Sequence, residues 1–196
     1  MGFAKYAAKD YSKLRGLQGI TDEQVEVHLQ LYGGYVNRTN ALQERLFALA
    51  QAGTFDNAYQ ELKRRNGWEW NGMRLHEYYF DNLAPGARAL DEGNPFAAAV
   101  ARQYGSVDAW KVDFMSTAKM PGVGWIVAYL DPASGQVLNC WINQHEVSHL
   151  AGARPVLVLD VWEHAFSVYR KPTERAKYLD DFYANVAWDV VAQRMG

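Results

Sequence analysis

Cysteine is nearly absent from this chain: Cys140 stands alone among 196 residues. A lone thiol excludes an internal disulfide framework and any CxxC metal or redox pair. An excess of basic residues is missing too. Twenty Lys and Arg against 22 Asp and Glu, for a net charge of -2, leave no electrostatic footprint for nucleic acid and no polybasic segment for a membrane surface. No apolar run approaches the roughly 20 residues that span a bilayer, and the opening MGFAKYAAKDYSKLRG lacks the apolar core of a secretory signal. Internal repeats and low-complexity tracts are lacking as well. These absences point to a reducing, cytoplasmic setting. Hydrophobic residues make up 49% of the chain, enough for a real core, and seven Trp, twelve Tyr and eight Phe suit the walling-off of a small site.

The patterning predicts an α+β fold. Residues 1–20 read as an extended arm. Thr21 and Gln24 form a capping box before a helix with an apolar stripe at Val25, Leu29, Tyr32 and Val36, and His28 falls inside that stripe. Gly33-Gly34 interrupt it at about 1 kcal/mol each relative to Ala, which suggests close approach of another backbone or a ligand. The pattern resumes to about Ala50. A second helix is expected from Asn57 to Leu83, with a break near Gly67 and with Met73, His76, Tyr79 and Phe80 on one face. Ala84–Pro95 reads as the linker, which divides the chain into a helical hairpin domain at 1–90 and an α/β domain at 91–196. The second part carries short helices at 96–103 and 106–117. Strands at Gly124–Leu130 and Val137–Asn143 are joined by the turn Asp131-Pro132-Ala133-Ser134-Gly135, and a third strand at Val156–Leu159 completes a small antiparallel sheet. One amphipathic helix from about Thr173 closes the chain.

The chemistry gathers around DVWEHAF, Asp160 to Phe166, directly behind that third strand. An acid and an imidazole four residues apart at a strand end can face one metal ion, although an Asp that caps a helix would give the same spacing. With His28 and His76 on the facing sides of the hairpin, the set becomes three imidazoles and one carboxylate. Such a set suits a first-row transition metal with one open position. It neutralises one unit of the ion's charge, so the centre attracts a small anion. Trp125, Trp141, Trp162 and Tyr79 are expected to form a dry shell around it, with Gln144 at the hairpin's end reaching a metal-bound water. His145 and His149 read as members of a solvated loop, Cys140 as a buried small hydrophobe and Lys63-Arg64-Arg65 as a solvated helix face.

DVWEHAF, GWIV at 124–127, Asn143-Gln144 after a hairpin strand, HEYYF at 76–80, His28 ahead of Tyr35-Val36-Asn37, and the tail NVAWDVVAQR together resemble the iron/manganese superoxide dismutase family over nearly the whole chain. The resemblance implies His28, His76, Asp160 and His164 as metal ligands and one Mn or Fe ion per chain. It implies Gln144 as the glutamine that bonds metal-bound solvent, Tyr35 as the gateway tyrosine, and Glu163 as a residue that bonds a ligand histidine across a homodimer interface, with a tetramer as the further possibility. Iron-type members supply the glutamine four residues before the second ligand histidine, where this chain has Gly72; Gly72 with Gln144 therefore tilts the reading toward manganese. The implied activity is disproportionation of superoxide to O2 and hydrogen peroxide.

The chain also departs from the family pattern. Tyr32 stands where members usually carry a gateway histidine, Ser167 where a second interface tyrosine is common, and the segment from His28 to Tyr35 is one residue short. One rival reading is therefore a metal-holding structural homologue with little turnover. Another is a mononuclear iron oxygenase using two His and one carboxylate, against which the third histidine counts.

Overall fold

The computed structural model describes residues 4–196. Two long helices, α1 (Asp22–Gln51) and α2 (Asn57–Asp81), form an antiparallel hairpin. Thr21 caps α1, its hydroxyl accepting from Gln24 N at 3.2 Å, and Asp56 caps α2 by accepting from Tyr59 N at 2.9 Å. Each such cap contributes about 1 kcal/mol. Neither helix breaks at its glycines. A Cβ on Gly33 would meet nothing within 4 Å, and one on Gly34 only the far end of the Arg38 side chain. The close approach of a backbone expected at these positions is therefore not made among the described residues. Gly67 also lies inside unbroken helix.

The described part of the N-terminal arm has little regular structure but is anchored. Leu14, Leu17 and Ile20 are buried, and the Tyr11 hydroxyl donates to Asp81 Oδ1 at 2.9 Å. Expectations for residues 1–3 lie outside the described residues.

Residues 84–94 lead to α3 (Pro95–Tyr104) and α4 (Val107–Ala118), which precede a three-stranded antiparallel sheet of order β2-β1-β3. Strands β1 (Gly124–Leu130) and β2 (Val137–Asn143) have the bounds read from the sequence; β3 extends further, Arg154–Asp160. Every residue of β1 is buried, as a central strand covered on both faces should be. Its register pairs Trp125 with Asp160. At Gly124 a Cβ would stand 2.1 Å from the Ile142 carbonyl oxygen, so only glycine lets β1 and β2 close here.

The closing helix is two helices, α5 (Arg175–Ala184) and α6 (Trp188–Gln193). Residues 185–187 leave the helix because their backbone bonds the end of α2: Ala84 N donates to Asn185 O and Ala187 N to Asn82 O, both at 2.9 Å. The buried amide of Asn82 carries the tie into the sheet, accepting from Val158 N at 3.0 Å. The hairpin and the sheet are thereby locked together next to Asp160.

Candidate metal centre

Four side chains from four elements converge between hairpin and sheet. His28 lies in the second turn of α1 and His76 near the end of α2. Asp160 is the last residue of β3, and His164 sits in the single helical turn Glu163–Ala165 that folds back after it. The Asp160 carboxylate is the hub. Its Oδ2 lies 3.1 Å from His28 Nε2, 3.2 Å from His164 Nε2 and 3.8 Å from His76 Nε2. One potential ligand atom from each of the four lies within 4.8 Å of all the others.

Each group is held from behind. Asp160 Oδ1 accepts from Trp162 N at 2.8 Å, which shapes the turn carrying His164. Tyr178 donates its hydroxyl to Asp160 O at 2.7 Å. His76 Nδ1 lies 2.6 Å from Gly72 O; a carbonyl only accepts, so the imidazole hydrogen is on Nδ1 and the Nε2 lone pair faces the cluster. Gln24 completes only half of its capping box. Its buried amide crosses instead to the 164–168 turn, with Nε2 donating to His164 O at 2.7 Å and Oε1 accepting from Val168 N at 3.0 Å.

The electrostatics fit a cation. Burial pushes the pKa values of His28 and His76 down, so both imidazoles are neutral with lone pairs to offer. Burial alone would raise the Asp160 pKa, but the imidazoles of His164 and His28 set against the carboxylate outweigh it and hold the carboxyl ionised. His76 Nε2 is fully buried and has no hydrogen-bond partner among the described residues. An orphaned buried acceptor costs about 1–3 kcal/mol, and a metal ion among these donors removes that cost.

Over the cluster lies an aromatic roof. Trp162 stacks on His164 with ring centres 5.7 Å apart, Trp125 meets His76 edge-on at 4.9 Å, and Tyr79 lies 5.0 Å from His28. Trp141, expected in this shell, is elsewhere, half-buried against Gly122 and Arg175. Trp68, which the sequence reading missed, takes part through ring contacts with His145 and Trp162. The Lys63-Arg64-Arg65 run is exposed, yet Arg65 joins Arg38 in bracketing the buried Glu69 carboxylate at 2.7 and 2.9 Å, one guanidinium over Trp68 and the other over Tyr35.

Tyr35 falls above the cluster because α1 is regular. Seven residues after His28 are two turns, so both side chains leave the same face, and the missing residue in this segment does no harm to the register. The Tyr35 ring lies 5.2 Å from that of His76. Tyr32 is buried with its ring stacked 6.4 Å from that of His76, its hydroxyl donating to Glu77 Oε1 and accepting from Lys9 N, both at 3.0 Å.

Two sequence expectations need correction together. Gln144 is exposed, in a left-handed conformation (φ 56°) that turns its side chain to solvent. Its neighbour His145 turns inward instead, fully buried, with Nε2 2.7 Å from the Tyr35 hydroxyl and Nδ1 accepting from Trp125 Nε1 at 3.0 Å. His145 and His149 are therefore not parts of a solvated loop. Indole N–H only donates, so His145 carries its hydrogen on Nε2, and the Tyr35 oxygen accepts it. Burial lowers the His145 pKa to about 4, consistent with that neutral tautomer. One pattern could have revealed the pair: Trp125 and Tyr129 share a spacing of four with His145 and His149.

Comparison with known proteins agrees with this geometry. The family model for iron/manganese superoxide dismutases, C-terminal domain, matches residues 92–194. A "Superoxide dismutase [Fe]" of Aquifex aeolicus is 35% identical over 99% of this chain and 92% of its own length. The chain belongs to the iron/manganese superoxide dismutase family. Other members include a "Superoxide dismutase [Fe]" of Cupriavidus metallidurans, 34% identical over 91% of this chain and 89% of that protein. A "Superoxide dismutase [Mn] 2" of Haloferax volcanii is 34% identical over 82% and 79% respectively. The family thus contains proteins named for either metal. Among the described residues no helix is long and apolar enough to cross a membrane.

Proposed function

We propose that this protein disproportionates superoxide at one iron or manganese ion held by His28, His76, Asp160 and His164. The observation that carries the reading is the convergence of these four groups with His76 Nε2 buried and unpartnered. A bound ion would supply one-electron exchange between two superoxide ions, giving O2 and, with two protons, hydrogen peroxide.

The protein's own residues do the rest. Asp160 brings one negative charge against a cation of two or three, so the pocket keeps a positive pull on a small anion. Arg38 and Arg65, both about half exposed around the single charge of Glu69, add to that pull near Tyr35. Trp125, Trp162, Trp68 and Tyr79 exclude water and larger molecules. Because the one N–H of His145 is given to the Tyr35 oxygen, the Tyr35 hydroxyl hydrogen stays free to donate, and Tyr35 is the residue that hands a proton inward. His145, bonded to Tyr35 and Trp125, occupies the inward position expected of Gln144, and its role is to orient Tyr35.

With Gln144 exposed, the tilt toward manganese loses its basis, and the ligand set accepts either metal. Glu163 is exposed beside His164, whose side chain is 23% exposed; we assign this edge to a homodimer contact in which Glu163 reaches the imidazole of a second copy. Cys140, half-buried and unpaired with its thiol pKa raised by burial, is compatible with a cytoplasmic setting. Tyr32, whose hydroxyl is engaged by Glu77 and Lys9, favours the second reading of a metal-holding homologue with little turnover.

Metal analysis with a superoxide-consumption assay separates the two. One Fe or Mn per chain with rapid consumption supports the enzyme; full metal without consumption supports the homologue. His28→Ala is expected to lose metal and activity together, and metal retained at full occupancy would refute the ligand assignment.

A further inference from the structure

The segment that carries His145 is pinned at two points to one face of β1. Trp125 and Tyr129 lie four residues apart on that strand and point to the same side. Trp125 Nε1 donates to His145 Nδ1 at 3.0 Å, and the Tyr129 hydroxyl lies 2.7 Å from His149 Nδ1. His149 Nε2 in turn lies 2.9 Å from the backbone oxygen of His145. That oxygen only accepts, so His149 carries a hydrogen on Nε2, and in the neutral ring Nδ1 accepts from Tyr129. The chain of donors runs from Tyr129 O–H to His149, and from His149 N–H to the His145 carbonyl. Nothing in the proposed reaction uses His149 or Tyr129.

We infer that His149, oriented by Tyr129, is a positioning residue for the Tyr35–His145 pair. It rests on the functional reading above only for its effect on turnover. The need for such a clasp follows from the backbone. Gln144 is held in the left-handed region, and Ser148 likewise has a positive φ of 82°; the turn between them is closed at its base by the paired backbones of Asn143 and Val147, at 3.0 and 3.3 Å, while the His145 peptide at its tip lies outside that bridge and is bonded by His149. Two conformations that non-glycine residues seldom adopt persist only where neighbouring contacts hold them. Trp125 fixes the ring of His145; His149 fixes its peptide. Released from His149, the 144–149 segment can relax, and the imidazole then moves relative to Tyr35 by the fraction of an ångström that proton donors do not tolerate.

The test uses His149→Phe, which removes both bonds, His149→Gln, which keeps an N–H able to reach the His145 carbonyl, and Tyr129→Phe, which deletes one hydroxyl without changing the packing. In the metal-free protein, the 15N and 1H resonances of the His145 ring report its tautomer and its bond to Tyr35. In the metal-loaded protein, turnover is measured at matched metal content. The expected result is a loss of the single Nε2–H tautomer and a fall in turnover of about tenfold in His149→Phe, with a smaller change of the same kind in Tyr129→Phe and recovery in His149→Gln. A His145 spectrum unchanged in both His149→Phe and Tyr129→Phe overturns the inference. Should the wild-type protein prove inert toward superoxide, the proposed function fails, while the ring resonances still decide the clasp.

Discussion

At the scale of single residues, Gly72 shows how an absent side chain can shape a site. A Cβ there would lie 2.5 Å from Tyr35 Cδ1 and 2.6 Å from Cε1. A rigid ring offers no flexible end to give way, so Gly72→Ala must swing Tyr35 off His145 or push α1 from α2. Overpacking of this kind costs about 1–3 kcal/mol, partly offset by about 1 kcal/mol of helix propensity. The expected net loss is about 1 kcal/mol in a urea titration. The bond from His76 to residue 72 uses a backbone oxygen and survives the change. Metal content should therefore stay at the wild-type value while turnover falls. Loss of metal in parallel with turnover would show that the alanine disturbs the ligand instead of Tyr35.

At the scale of elements, regular helix geometry explains both what was legible and what was not. His28, Tyr32 and Tyr35 share one face of α1 because spacings of four and seven residues recur on a 3.6-residue period, and the strand bounds of β1 and β2 follow from apolar runs closed by a turn. Asp160 and His164 were readable as a pair for the same local reason. The identity of the residue beside Tyr35 was harder to read, because it hangs on the φ of Gln144, and only the matched spacing of Trp125 and Tyr129 with His145 and His149 hinted at it. The break at residues 185–187 was hidden likewise: it comes from bonds to the end of α2, about a hundred residues away in sequence. The glycines of α1 misled in the opposite direction, suggesting a close approach where a Cβ on Gly33 has open space around it. Gly33→Ala should accordingly stabilise the protein by about 1 kcal/mol, raising the melting temperature by roughly 2–4 °C for a chain of this size. A lower melting temperature would mean that another copy of the chain packs on this face.

At the scale of the molecule, two halves of the chain meet around buried imidazoles, and protonating His28, His76 or His145 in the metal-free protein costs stability. His145 has a folded pKa of about 4 against an ordinary value of 6.5. Between those values the unfolded chain binds a proton that the folded chain refuses, so this residue's contribution to stability rises with pH through the window and is lost as pH falls from 6.5 toward 4. Burial of His28 and His76 acts with the same sign. Asp160, held well below its ordinary 3.8 despite burial, has the opposite shift, and its contribution is lost only below that value. From pH 6.5 to 5 the histidines therefore dominate. The share of His145 over that interval is at most roughly 2 kcal/mol, at 1.36 kcal/mol per unit. His145→Gln can accept from Trp125 and donate to Tyr35 through its amide without titrating. Its metal-free form should lose less stability than the wild type between pH 6.5 and 5 in urea titrations, by up to that amount. Equal slopes in the two proteins would show that His145 is not buried neutral, and the hydrogen-bond directions assigned to Trp125 and Tyr35 would fall with it.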